Sequence, residues 1–235
     1  MQSRVALLLV AVGAALVAGA RWLQAFNFGA AELKFIGDFG LGAIGLLGTL
    51  LAALATAQVF FEDIRGGALA CVLTRSTRRG EYIAGQLAGM TALLALFTVA
   101  LGGLLAALVV WRGAQWGASS LSLPALLLAC GLQWLKLSLV SAMTLLVCSY
   151  AGNALFASCA GILLAAVAQA RGLAGGGWAW PLRLWPNLGL FDAESVLSAG
   201  HLPGGGWLLG LVGYWAVYLL LFGGVAAYVF RRREF

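Results

Sequence analysis

The chain has 235 residues, of which 63% are hydrophobic and 9% charged, with a mean hydropathy of +0.98 and a formal net charge of +6. Soluble domains carry about 25% Asp, Glu, Lys and Arg, so a dissolved monomer is excluded and lipid must cover most of the exterior. In lipid every backbone polar group needs an internal partner, which leaves helices or closed barrels, and uninterrupted apolar runs select helices.

The expected fold is therefore all-α: a polytopic integral membrane protein forming a single transmembrane domain over residues 1–235. At about 20 apolar residues per crossing, six transmembrane helices are predicted, at roughly 4–24, 39–61, 82–110, 124–149, 152–171 and 207–230. The first contains VALLLVAVGAALVAGA (5–20), preceded only by Arg4; it reads as a span rather than a cleaved signal, with Arg4 and Arg21 snorkelling. The second fills the uncharged stretch between Asp38 and Glu62, and the third the stretch between Glu81 and Arg112. Gly40, Gly42, Gly45 and Gly48 crowd the start of the second span, and Gly85 and Gly89 form a GxxxG at the start of the third; both suggest close helix packing.

Six spans put both termini on one side. With that side cytoplasmic, the inner segments hold eight cations (Arg4, Arg65, Arg75, Arg78, Arg79 and Arg231 to Arg233). The outer ones hold five: Arg21, Lys34, Arg112, Arg171 and Arg183. The positive-inside rule favours this orientation. It also accounts for the net charge without nucleic acid. Seven of nine tryptophans (Trp22, Trp111, Trp116, Trp178, Trp180, Trp185 and Trp207) fall at outer ends, as an interfacial belt requires.

Between the third and second spans lies the densest charge in the molecule. FFEDIRGGALACVLTRSTRRGEY (60–82) holds seven of the 22 charged residues: Glu62, Asp63, Arg65, Arg75, Arg78, Arg79 and Glu81. The cations alone could serve only to fix topology. An acidic pair, then an apolar helical face of Ile64, Ala68, Cys71 and Val72, then an Arg cluster suits a docking element for a cytoplasmic partner.

Two further places carry candidate chemistry. Lys136 lies near the middle of the fourth span, where a charge costs about 2.5–3.5 kcal/mol on insertion scales. Either it lines a polar cavity and meets an anionic substrate or headgroup, or it snorkels to the outer interface. The outer segment 172–206 is too apolar for a free loop and too broken for a span. It reads either as short re-entrant or interfacial helices, with Asp192 near the start of one over 193–199, or as a loop lying flat on the bilayer. His201, alone in that segment, reads as a solvated residue. Cys71, Cys130, Cys148 and Cys159 form no CxxC and read as small apolar residues, giving neither a disulfide framework nor a metal site.

Taken together, FEDIRGGALACVLTRSTRRGEYIAGQLAG, the preceding IGDFGLGAIGLLGTLLA (36–52), PNLGLFD (186–192) and the tail YVFRRREF (228–235) resemble ABC transporter permeases of the type-2 exporter class. They are most similar to the group that includes the permease of nitrous oxide reductase copper-site maturation. The order and spacing of these four stretches carry the resemblance over nearly the whole chain. It implies a permease with six spans, working as a pair with a second copy of itself or a related permease, in a bacterial-type inner membrane. The pair would engage two ABC ATPase subunits. The loop 62–81 would be a coupling helix seated in an ATPase cleft, with Glu62, Asp63, Ile64, Arg65, Leu69, Val72, Leu73, Arg75, Arg78, Arg79 and Glu81 as docking residues. The chain has no GxxxxGK[ST], so it is expected to bind no cofactor itself; ATP and Mg would reside in the partner, and the chain would not be an enzyme on its own. Two features depart from the family: MQSRVALL leaves no room for an amphipathic helix before the first span, and Ser76 stands where the basic turn usually has a proline. The copper-related role has no methionine or cysteine relay to support it. The alternatives are a non-transport anchor that transmits force to an ATPase complex, and a small channel or secondary transporter.

Overall fold

The computed structural model describes residues 32–66, 79–116, 122–171, 185–192 and 204–232, together with the helical positions 11 and 15. The predicted span 4–24 otherwise lies outside the described residues. Five helices follow in chain order: α1 Glu32–Arg65, α2 Arg79–Trp116, α3 Leu123–Tyr150, α4 Ala154–Ala170 and α5 Gly205–Arg232, with a 3-10 turn at Leu188–Phe191 between the last two. Four of them, α1, α2, α3 and α5, are long and apolar enough to cross a membrane. The chain is thus an all-helical membrane protein over its described residues.

α1 and α2 outrun the apolar stretches that announce them, while α3 and α5 end within two residues of theirs. α1 begins at Glu32 and continues through Lys34 and Asp38 before the charge-free run starts. Hydropathy marks only the part of a helix suited to hydrocarbon; the backbone ladder does not depend on it and continues past the apolar run. α4 is the exception in length. Its 17 residues rise about 25 Å at 1.5 Å per residue, short of a hydrocarbon core of about 30 Å. It starts sharply, because the Asn153 side chain accepts a hydrogen bond from the Leu155 N–H at 3.3 Å.

α3 is the central post. Residues Leu137 to Leu145 are all buried, which a lipid-facing helix cannot achieve; α1, α2, α4 and α5 all pack on it. The hydroxyls along α3 are satisfied by the helix itself. Ser138 donates to the Leu135 carbonyl at 2.7 Å, Ser141 to Ser138 at 2.8 Å, Thr144 to Val140 at 2.9 Å and Ser149 to Leu145 at 3.1 Å. α5 buries only Leu211, Phe222, Ala226 and Phe230, a single stripe, and turns Leu209, Val217, Leu220 and Leu221 outward. α4 buries Ala157, Gly161, Ala165 and Ala168, a small-residue stripe that lets it approach α3 closely.

The glycines divide by role. A Cβ on Gly161 would lie 2.4 Å from Thr144 Oγ1, and one on Gly45 2.9 Å from Gln133 Nε2. Gly85 and Gly89, the predicted packing motif, face open space instead. Two tryptophans outside the interfacial belt tie α3 to its neighbours. Trp134 Nε1 donates to the Thr91 carbonyl of α2 at 2.9 Å, and Trp215 Nε1 of α5 donates to Ser138 Oγ at 2.6 Å. Interhelical bonds of this kind are worth about 0.6–2 kcal/mol in membranes. Trp215→Phe is therefore expected to lower stability by about 1 kcal/mol, and a double-mutant cycle with Ser138→Ala should recover a coupling of similar size in a reversible unfolding assay in mixed micelles; a null coupling would mean the bond contributes nothing.

Candidate functional sites at the loop base and the interhelical cavity

The predicted docking loop emerges from a tied base. α1 ends and α2 begins where the Tyr82 hydroxyl donates to Asp63 Oδ2 at 2.9 Å. Around this bond Phe60, Phe61, Tyr82 and Phe230 form one aromatic cluster: the Phe60 ring lies 5.5 Å from Phe61, 6.5 Å from Tyr82 and 5.8 Å from Phe230, and Tyr82 stacks on Phe230 at 5.9 Å. The cluster joins the end of α1, the start of α2 and the end of α5. It also puts Arg231 and Arg232 at the same end of the molecule as Arg65 and Arg79.

The residues expected to dock therefore separate into two sets. Glu62, Arg65 and Glu81 are exposed. Asp63 is engaged by Tyr82, and Ile64 packs against the core, so both turn toward the helices rather than away from them. Arg79 opens α2. Leu69, Val72, Leu73, Arg75 and Arg78, and with them the predicted coupling helix, lie outside the described residues.

The second site is built around Lys136. None of the predicted spans contains an acidic residue to neutralise it. The acid comes instead from the outer segment: Lys136 Nζ lies 2.7 Å from Asp192 Oδ1, and Gln169 Nε2 of α4 donates to Asp192 Oδ2 at 2.7 Å. Lys136 thus neither stands alone nor snorkels alone. It sits thirteen residues beyond Leu123 in α3, about 20 Å along the helix axis, and Asp192 reaches it there.

What carries Asp192 to that point is the short stretch 185–192. Asn187 organises it by accepting from Gly189 N–H at 3.1 Å through its side chain, while its own N–H donates to the Tyr214 hydroxyl of α5 at 2.8 Å. Arg171, just past α4, donates to the Trp185 carbonyl. Leu188 and Phe191 are buried, with Phe191 6.3 Å from Tyr214, and Trp185 lies 5.7 Å from Phe222. The stretch is therefore fastened to α3, α4 and α5 at once. Asp192 closes the 3-10 turn, its N–H bonded to the Gly189 carbonyl; the helix expected over 193–199 lies outside the described residues.

The ion pair borders a partly open cavity of about 720 Å³ between α1, α3, α4 and the turn. Asp38, Thr49, Gln133, Lys136, Gln169 and Asp192 supply its polar lining, and Leu46, 63% exposed, stands at its rim. Gln133 donates through Nε2 to the Leu41 carbonyl at 3.3 Å. Because a carbonyl can only accept, this bond fixes the amide orientation, and the Asp192 carboxylate fixes that of Gln169 in the same way. The atoms left over, Gln133 Oε1 and Gln169 Oε1, are both oxygens, both buried and both without a hydrogen-bond partner. Such an unpaired acceptor costs about 1–3 kcal/mol.

Nothing in the isolated sequence pointed to Gln133, Gln169 or Asp192 as one group. The available signal was the outer segment, too apolar for a free loop yet carrying an acid at Asp192. Among the described residues no cluster of His, Cys, Asp and Glu could hold a metal ion. Among known proteins, no family model and no curated sequence matches this chain.

Proposed function

We propose that the chain is the membrane-spanning permease subunit of an ATP-driven ABC exporter, with six spans, cytoplasmic termini and a separate ATPase docked on the loop 62–81. The observation that supports this most is the tied loop base. A force applied to the loop enters α1 and α2 at the Asp63–Tyr82 bond and α5 through Phe230. Three helix ends would then move together, and α1 forms one wall of the Lys136 cavity. An arginine cluster that served only to fix topology would need no such coupling. The gathering of Arg65, Arg79, Arg231 and Arg232 at one end agrees with placing that end in the cytoplasm. On this reading 185–192 is re-entrant, since it meets α3 about 20 Å from its start, and α4 is a short fifth span completed at the interface.

The test uses the exposed charges. The tagged chain purified from its native membrane should carry an ATP-hydrolysing subunit, and Arg65→Glu combined with Glu81→Lys should reduce the co-purified ATPase activity at least tenfold while leaving the helical content intact. Undiminished ATPase on the doubly reversed chain would remove the loop from the docking site. Asp63 is the wrong residue for this experiment, because its reversal also breaks the bond to Tyr82.

A further inference from the structure

α2 and α5 leave an open apolar groove between them, and two arginines stand at one end of it. We propose that this groove binds one acyl chain of an anionic phospholipid, with Arg231 and Arg232 holding its head. The inference depends only on the chain's residence in a membrane, not on the permease reading.

Three observations carry it. The first is the shape and chemistry of the groove. It holds about 460 Å³ between Gly80, Ala84, Ala88 and Thr91 of α2 and Leu220 and Gly224 of α5. From Gly80 to Thr91 it runs about 16 Å along the helix, half of a hydrocarbon core of about 30 Å and so the depth of one leaflet. The helices close on each other at Gly223, where a Cβ would lie 2.8 Å from Leu87 Cδ1. Thr91 is the one polar side chain in the lining, and its hydroxyl already donates to the Ala88 carbonyl at 2.9 Å. Nothing inside the groove calls for a hydrogen bond, which suits a hydrocarbon chain.

The second observation is where the charge sits. Leu220, Gly224, Ala227 and Arg231 follow one another on α5 at spacings of three and four, so they share a face and Arg231 continues the groove wall. Arg231 Nη2 lies 3.7 Å from the point a Cβ on Gly80 would occupy, which places a guanidinium over the groove's end. Arg232 continues the neighbouring row after Gly224 and Tyr228. It donates to the Tyr228 hydroxyl and lies 4.6 Å over that ring. Both arginines are exposed, and a guanidinium carries several N–H donors in a fork that fits a phosphate.

The third is the balance of charge. Among the described residues Arg65, Arg79, Arg231 and Arg232 share this end with Glu62, Asp63 and Glu81, and Asp63 is engaged by Tyr82. The local charge is positive and favours an anionic head over a zwitterionic one. A second groove, between α2 and α3, is lined by Thr98, Gly102, Cys130 and Gly131 among others and by no charged residue; it has no means of choosing a head.

The full chain in detergent micelles is titrated with dioleoylphosphatidylglycerol or dioleoylphosphatidylcholine, which share their chains and differ in the head, and bound lipids are counted by native mass spectrometry. The first phosphatidylglycerol should bind about tenfold tighter than the first phosphatidylcholine, and Arg231→Gln and Arg232→Gln should each cut that preference about threefold. Gly224→Leu adds a side chain whose Cβ meets nothing within 4 Å, so it fills the groove without disturbing the helices. It should weaken the first phosphatidylglycerol about tenfold with both arginines in place. Lys34→Gln, which removes an exposed cation at the opposite end, should leave the preference unchanged. Equal affinity for the two lipids on the unmodified chain, or a preference untouched by both arginine substitutions, overturns the proposal. Full affinity in Gly224→Leu overturns the seat in the groove, and a loss in Lys34→Gln equal to that in Arg231→Gln would trace the preference to net charge alone. Should an arginine variant fail to fold, the unmodified chain and Gly224→Leu decide.

Discussion

Asp192→Leu is expected to destabilise the protein by about 3 kcal/mol, and Lys136→Met by about 1 kcal/mol. The asymmetry follows from what each change strands. Without Asp192, Lys136 is an uncompensated ammonium deep along α3, with a side chain only 11% exposed; a lone lysine at the centre of a span costs about 2.5–3.5 kcal/mol. Without Lys136, the Asp192 carboxylate keeps the Gln169 amide at 2.7 Å and is itself 40% exposed, so its desolvation is partial. Replacing both at once, Lys136→Met with Asp192→Leu, should restore most of the loss, because a buried ion pair exchanged for apolar groups of similar volume is close to neutral. Reversible unfolding in mixed micelles measures all three. Equal single losses, or a double variant as unstable as the sum of the two, would mean that the pair is not what pins 185–192 to α3.

The second large effect is at a glycine. Gly161→Ala should cost about 2–3 kcal/mol, at the upper end of overpacking penalties. The added carbon would lie 2.4 Å from Thr144 Oγ1, and Thr144 cannot yield cheaply: it is fully buried, β-branched, and bonded to the Val140 carbonyl at 2.9 Å. Either α4 separates from α3 or that bond is lost. Gly85→Ala and Gly89→Ala provide the contrast. Both face open space, so each should change stability by less than about 0.5 kcal/mol, with helix propensity acting in their favour. Comparable losses at all three positions would place a second packing surface over Gly85 and Gly89.

That contrast shows where sequence reasoning reached and where it stopped. A GxxxG at 85–89 is visible as a pattern, but the side of α2 it occupies is decided by which other residues bury better. Gly161 belongs to no spaced motif of glycines and is recognisable only once Thr144 is seen opposite it. Helix existence was legible because lipid leaves the backbone no alternative, and the centres of α1, α2, α3 and α5 fall where the apolar runs predicted. The ends of α3 and α5 also fall within two residues of the predicted spans, whereas α1 starts seven residues early, with Glu32, Lys34 and Asp38 helical. At the loop base, the composition of 60–82 marked the segment but could not separate Asp63 from Glu62; the distinction comes from Tyr82, nineteen residues on. Lys136 was conspicuous from its position. Its partner was not, because Asp192 lies 56 residues away in a stretch whose depth no local pattern encodes.

The hydroxyls of α3 have a mechanical consequence. Ser141 and Thr144 each spend their proton on a carbonyl of their own helix, so neither donates to a neighbouring helix. There a neighbour is held by shape, and the close seating of Gly161 against Thr144 resists sliding of α4 along α3. The polar anchorages of α3 gather at one level, at Trp134, Lys136 and Ser138, so small displacements of the surrounding helices are expected to pivot about that level.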